Sequence, residues 1–344
     1  MISIDLLQKG EAIHGSSVEK EILDYLANLF QGSKKLPVNT MEWNITYEKL
    51  YINGKEVPCR AMPYTRGHVS GKVGDNILAF PFPDHPFKVK DFFKYSLSVN
   101  AEGIIFYGDK LRRVKVSEDI VKVPTVTTTS TLKKGDEVEI HVDSWLRNTT
   151  SYNVEYTVNE GEESIVIGAH VDHWLTGFHD NLLALDVING LKGLKLNRKG
   201  LKFVFFSSEE GPKCCTGSSQ YPKKGIFASI ILDALYPNRV VYSSTPDLWQ
   251  FANYFRLKRI EMPTRYSDDV SFVEENIPSL TLYNDDLIPF YHSDRDLQMP
   301  EDLSYIEELK LALIKMLKAL DNVKREELDE RLKSFGFSKR ELGS

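Results

Sequence analysis

The chain has 344 residues, 42% of them hydrophobic and 27% charged, with a formal net charge of -6 at neutral pH. That length suggests about two domains and a core of ordinary size. The mild negative charge argues against a nucleic-acid partner, and no apolar run approaches the ~20 residues of a membrane-spanning helix.

The N-terminal stretch MISIDLLQKGEAIHGSS has no basic segment followed by an apolar one, so it does not read as a secretory leader, and the expected compartment is the cytoplasm. Ser16-Ser17-Val18-Glu19 then forms a capping-box signature, and Val18, Ile22, Leu23, Tyr25, Leu26 and Leu29 recur at helical spacing up to Gly32. Residues 43–52 (WNITYEKLYI) read as a strand. From 57 to 145 short strands alternate with turns, including GKVGDNILAF, GIIFYG (103–108), VPTVTTT (123–129) and DEVEIHV (136–142), with one helix around 91–101. This texture predicts a compact β-rich module of its own.

Beyond residue 151 strands and helices alternate. SIVIGAHVD (164–172), LKFVFF (201–206), IFASIILDAL (226–235) and PSLTLYN (278–284) read as buried strands. Residues 181–194, 245–258 and 304–323 read as helices, and the charged run 324–344 as a solvated one. The alternation predicts an α/β fold, a mixed and mostly parallel sheet flanked by helices. Polar groups for chemistry are expected at the carboxyl ends of such strands.

Those ends carry a consistent set of side chains. The first strand closes with His170 and Asp172, two apart and therefore on one face. Asp180 and Asn181 follow before a helix; Glu209 and Glu210 follow LKFVFF; Asp233 follows IFASIIL; His292 lies in PFYHSDRD after PSLTLYN. Two imidazoles with several carboxylates suit a borderline divalent metal such as zinc, and a pair of ions needs a bridging carboxylate. A further carboxylate outside the ligand set can carry a proton. Spacing alone does not distribute these roles. A shifted register would let His173 or His179 replace His170, although the alternation from Ile165 to Asp172 favours His170.

The order HVD (170–172), DN (180–181), EE (209–210), LD (232–233) and YHSDRD (291–296) resembles the two-zinc, co-catalytic aminopeptidase family of metallopeptidase clan MH, which also includes glutamate carboxypeptidase II and the transferrin receptor. YNV (152–154), Gly217-Ser218 with Tyr221, SDDVSF (267–272) and IPSL (277–280) extend the resemblance, which covers the N-terminal helix and about 150–320. It implies a zinc-peptidase (phosphorylase/hydrolase-like) fold. It also implies two divalent ions, Zn2+ with Co2+ or Mn2+ as alternatives, held by His170 and Asp233 on one side and Glu210 and His292 on the other, with Asp180 bridging. In the same reading Glu209 is the general base, Asp172 binds the far nitrogen of His170, and the Asp180–Asn181 peptide is cis. The implied activity is hydrolysis of the N-terminal bond of peptide substrates. A carboxypeptidase, an aminoacyl-amide hydrolase, a glutaminyl-cyclase-like enzyme and a non-catalytic receptor-like protein are the alternatives, and a homo-oligomer is left open. Residues 57–145 resemble an inserted protease-associated (PA) domain, leaving 1–56 and 146–344 as a discontinuous catalytic domain.

The chain departs from that pattern in several places. Leu182-Leu183-Ala184 stand where the family has small residues, Asp269 stands where it often has His, and GPKCCT (211–216) lengthens the loop after the acidic pair. Three cysteines (Cys59, Cys214 and Cys215) are no disulfide framework, and a bridge between adjacent residues is unfavourable, so free thiols are expected. Asp268, Asp269, Asp285 and Asp286 read as solvated loop acids, His68, His85 and His141 as structural or exposed, and His179 as either a substrate contact or an exposed loop residue.

Overall fold

The computed structural model describes residues 1–343. Its main sheet has ten strands. Four parallel strands form the centre, in the order Ser279–Tyr283, Ile226–Leu232, Ser164–His170 and Gly200–Phe206. These are the continuous apolar runs of the sequence, and all four are almost wholly buried, as parallel strands covered on both faces must be. Parallel pairing does not extend across the sheet. Val240–Ser244 joins Ser279–Tyr283 in antiparallel sense, and on the other side Glu137–Asn159 and Lys34–Ile52 are antiparallel. The sheet is mixed, with a parallel centre, rather than mostly parallel.

Helices Ser17–Leu29, Leu183–Gly190 and Asp302–Asp321 cover one face. Their apolar stripes (Ile22, Leu23 and Leu26; Leu183 and Val187; Leu313, Met316 and Leu320) share one core with Ile165, Ile167, Phe203 and Phe205 of the sheet. The segment expected to be helical over 245–258 divides. Pro246–Tyr254 forms 3-10 turns and Leu257–Glu261 forms an edge strand beside Val240–Ser244. Pairing with that neighbour overrides the local helical pattern.

A second sheet has four strands, ordered Cys59–Ala61, Thr125–Thr128, Gly103–Tyr107 and Ile77–Pro81. Helix Val89–Ser98 packs Val89 and Phe93 against Ile104 and Phe106 of this sheet. Glu137–Asn159 is one unbroken strand that runs through residues 145 and 146 and pairs with Lys34–Ile52 along nearly its whole length.

Asn153, in the YNV segment, ties this long strand to the loop after Gly200–Phe206. Its Oδ1 accepts the Ser207 N–H at 3.1 Å and its Nδ2 donates to the Gly217 carbonyl at 2.8 Å. A Cβ on Gly217 would lie 2.2 Å from the Ser207 carbonyl oxygen and 2.6 Å from Asn153 Oδ1. Neither neighbour can retreat without breaking the clamp. Gly217→Ala should therefore cost roughly 2–3 kcal/mol, in the range of overpacked sites, and lower the melting temperature by several degrees. An unchanged calorimetric melt would show that the clamp is not rigid.

Candidate metal centre

The carboxyl ends of the four parallel strands converge on one site. His170 is the last residue of its strand, Asp233 immediately follows Ile226–Leu232, Glu209 and Glu210 follow Gly200–Phe206, and His292 lies in the loop after Ser279–Tyr283. Asp180 lies in the Phe178–Leu182 segment that leads into helix Leu183–Gly190, and its peptide to Asn181 is cis. Ser208, Ala234 and His292 have φ of 56°, 47° and 51°, a left-handed conformation that side-chain-bearing residues seldom adopt. All three are ligand candidates or the chain neighbours of acids in the site, and such conformations persist only where surrounding bonds hold them.

The two imidazoles face one carboxylate from opposite sides. His170 Nε2 is 3.4 Å from Asp180 Oδ1, and His292 Nε2 is 3.2 Å from Asp180 Oδ2. Asp233 Oδ1 lies 3.3 Å from His170 Nε2, and Glu210 Oε1 lies 2.8 Å from His292 Nε2. The donor atoms of His170, Asp180 and Asp233 lie within 4.8 Å of one another, as do those of Asp180, Glu210 and His292. The other ring nitrogens meet main-chain carbonyls. His170 Nδ1 is 2.9 Å from the Asp172 oxygen, and His292 Nδ1 is 3.1 Å from the Arg113 oxygen. A carbonyl can only accept, so Nδ1 carries a proton in both rings, and Nε2, which faces the carboxylates, is the nitrogen that a metal would take in exchange for its proton.

The electrostatics match that donor set. Burial disfavours a charged His170, but Asp233, Glu209, Asp172 and Asp180 outweigh it and push the ring well above its ordinary value. His292 is pushed up to about 9, because Glu210 and Asp180 outweigh the same burial. Burial, then Glu210, holds the Glu209 carboxyl well above the usual range. The pocket thus gathers more negative charge than its imidazoles offset, in a buried place where uncompensated charge is costly. Two divalent cations would supply the balance, and the residues fit them: each ion would have a neutral imidazole nitrogen, a terminal carboxylate and a share of Asp180.

Glu209 hydrogen-bonds neither imidazole, although its carboxylate lies within 4.8 Å of donor atoms of His170 and Glu210. The Asp172 carboxylate holds the backbone beneath it, accepting the N–H groups of Glu209 at 3.0 Å and Glu210 at 2.8 Å. Asp172 reaches His170 twice, through its main-chain oxygen at 2.9 Å and through its carboxylate 3.7 Å from Nδ1, and the same carboxylate also organises the acidic pair. Glu19 does a related job. Ser16 caps the first long helix as expected, but the fully buried Glu19 carboxylate leaves the cap and accepts the Ser208 N–H at 2.6 Å and the Ser151 hydroxyl at 2.8 Å. Burial, then Asp172, raises it to about 8. On the two sides of the site, Trp174 donates its indole N–H to Glu210 Oε2 at 3.0 Å, and Ser267 donates its hydroxyl to Asp233 Oδ2 at 2.6 Å.

Several residues differ from expectation. His179 is neither exposed nor positioned for substrate. It is buried between Asp296 (Nδ1, 2.7 Å) and Asp302 (Nε2, 2.8 Å), and Asp296 also accepts the Asp180 N–H at 3.1 Å. His173 is buried with Nδ1 against the Val171 carbonyl and belongs to none of the ligand clusters found among the described residues. Asp268 and Asp269 are fully buried rather than solvated, because Ser267 docks their loop onto Asp233; burial raises Asp268 to about 7. Asp285 and Asp286 do sit at the surface, paired with Lys258 and Arg259. Cys214 and Cys215 are joined in a disulfide, not free. Bonds from the Cys215 and Thr216 N–H groups back to the Glu209 and Ser208 carbonyls, with Cys215 at φ 68°, fold the loop so that the sulfurs meet. The sulfurs lie 3.3 Å (Cys214) and 3.7 Å (Cys215) from Glu209 Oε1.

Residues 153–317, which carry every one of the ligand candidates, match Peptidase family M28. No curated protein matches the sequence. Among solved structures, a zinc aminopeptidase from Bacillus subtilis superposes with a TM-score of 0.69 at 15% identity, over 94% of this chain and 96% of that one. A peptidase M28 precursor from Shewanella amazonensis SB2B gives a TM-score of 0.71 at 16% identity, over 100% and 98%. An aminopeptidase from Aneurinibacillus sp. strain AM-1 gives 0.58 at 17% identity, over 100% and 93%. At these identities the superpositions establish the fold alone. Residues 153–317 are thus similar to Peptidase family M28, and the chain around them has a zinc-aminopeptidase-like fold.

Proposed function

We propose that the protein is an aminopeptidase that uses two divalent ions, zinc by preference, to hydrolyse the N-terminal bond of peptides. The observation that carries this reading is Asp180, whose two carboxylate oxygens each face Nε2 of a different imidazole. His170 and Asp233 would hold one ion, Glu210 and His292 the other, and Asp180 both. Bound ions of this kind polarise a carbonyl and acidify water. Glu209 then accepts the proton of the attacking water and delivers it to the leaving amine. Asp172, Glu19 and the Asn153 clamp keep the Glu209 backbone in register with the ligands. The charges acting on Glu209 are those of Glu210, His170, Asp233 and Asp268. Such an acidic setting favours a substrate's α-ammonium over a free carboxylate, which supports an aminopeptidase over a carboxypeptidase. The segment 57–145 is proposed as a PA-like module, a reading supported by its separate four-stranded sheet and packed helix.

The test is metal content together with a panel of aminoacyl chromogenic amides. The zinc-loaded protein should hydrolyse free-amine substrates and leave their N-acetylated counterparts intact, and chelation should abolish turnover. Preferential hydrolysis of N-blocked peptides from the C-terminus, or fewer than two ions per chain at saturating zinc, would overturn the proposal.

A further inference from the structure

We infer that the inserted module is a working part of one half of the metal centre. Through Leu111–Lys115 it sets the Glu210/His292 position, while the His170/Asp233 position is built by the catalytic half alone. The inference rests on the two-metal reading above.

The asymmetry is in the bonds that orient each ligand. His170 is oriented by the Asp172 carbonyl and Asp233 by the Ser267 hydroxyl and, through its N–H, the Leu282 carbonyl. None of these comes from the module. The opposite pair is different. The ring proton of His292 goes to the Arg113 carbonyl at 3.1 Å, and the Arg113 N–H returns to the His292 carbonyl at 3.0 Å. Arg112 donates from its guanidinium to the Tyr291 carbonyl at 2.6 Å and to the Pro289 carbonyl. Leu111 gives its N–H to the Asp294 carboxylate at 3.1 Å and receives the Asp294 N–H. The loop that carries His292 is thus bonded to the module immediately before and after the ligand. That accounts for its survival at positive φ without glycine.

Glu210 is bound to the module as well. Lys115 Nζ donates to the Gly211 carbonyl at 2.6 Å, and the Tyr64 hydroxyl lies 3.4 Å from the Glu210 carbonyl. Trp174, the donor to the Glu210 carboxylate, is buried in the same core as Tyr64, Ile105, Val126 and Ile140 of the module. The 111–115 segment is itself anchored, since the buried Arg113 guanidinium bonds Glu11 at 2.7 Å, Glu48 at 2.9 Å and the Ala61 carbonyl at 2.8 Å. Partners that hold a ligand's orientation typically govern metal affinity by about 10–100-fold. The module should therefore control one ion and not the other.

Arg112→Met tests this, because its side chain touches carbonyls and no ligand. Zinc binding to the full-length protein is followed by calorimetry and by ion count after dialysis, with a thermal melt to verify folding. Arg112→Met should keep one tight ion and weaken the other about tenfold or more. In double-mutant cycles its effect should be non-additive with Glu210→Gln and additive with Asp233→Asn. Lys115→Met, which acts through the Gly211 carbonyl, should give the same pattern and replaces Arg112→Met if that variant does not fold. Equal weakening of both ions, no weakening, or coupling to Asp233 instead of Glu210 overturns the inference. A wild-type protein that binds fewer than two ions fails the two-metal reading itself, and is recognised before any variant is made.

Discussion

Glu209→Gln should bind both ions as tightly as the unaltered protein and lose about a thousandfold or more in kcat. The amide matches the carboxylate in size and still accepts a hydrogen bond, but it cannot take up a proton, and general acid–base groups are worth about 10²–10⁴ in rate. Binding should survive because Glu209 hydrogen-bonds neither imidazole, whereas Glu210 Oε1 sits 2.8 Å from His292 Nε2. The neighbouring substitution is the control: Glu210→Gln should weaken zinc binding before it affects turnover at saturating metal. Ion counts and steady-state kinetics on the two variants separate the roles. Full activity in Glu209→Gln would remove it as the proton carrier.

Asp180→Ala should have the broadest effect on the metals, reducing the count from two ions to fewer than one per chain. Each of its oxygens lies within 3.4 Å of one imidazole, so its loss strips a ligand from both positions at once. The consequence reaches stability. A ligand that binds only the folded state stabilises it by RT ln(1 + [L]/Kd), about 2.7 kcal/mol at a hundredfold excess over Kd. The unaltered protein should therefore melt several degrees higher with zinc than after chelation, and in Asp180→Ala that difference should vanish. Retention of a full zinc-dependent rise in Asp180→Ala would show that the two sites share no bridging group.

Strand-borne features were the legible ones. His170, Asp180, Glu209, Glu210, Asp233 and His292 could be named in order because each lies at the end of a continuous apolar run or in the loop beyond it, and the fold brings these six together. What sequence alone missed depends on contacts between distant segments. Glu19 looks like the third residue of a capping box, and nothing local reveals that its carboxylate crosses 189 positions to Ser208. Arg112 and Arg113 sit in a charged turn, with their partners 179 residues away in the His292 loop. His179 was ambiguous until Asp296 and Asp302 closed on it from either side. The loop acids failed in the opposite direction: Asp268 and Asp269 have turn-like neighbours, and only the docking of Ser267 on Asp233 buries them. Segments 43–52 and 136–142 read as strands, but the full extent and antiparallel pairing of Lys34–Ile52 and Glu137–Asn159 did not, because they mix polar and apolar residues along strands of unusual length.

Those two strands also decide how the halves of the molecule can be separated. A module joined by a flexible linker can be cut away, swapped or swung aside at little cost. Here the connection is a two-stranded ribbon, hydrogen-bonded from Lys34 opposite Glu155 to Ile52 opposite Val138. It offers a protease no slack peptide, and the halves cannot part without shearing a ladder.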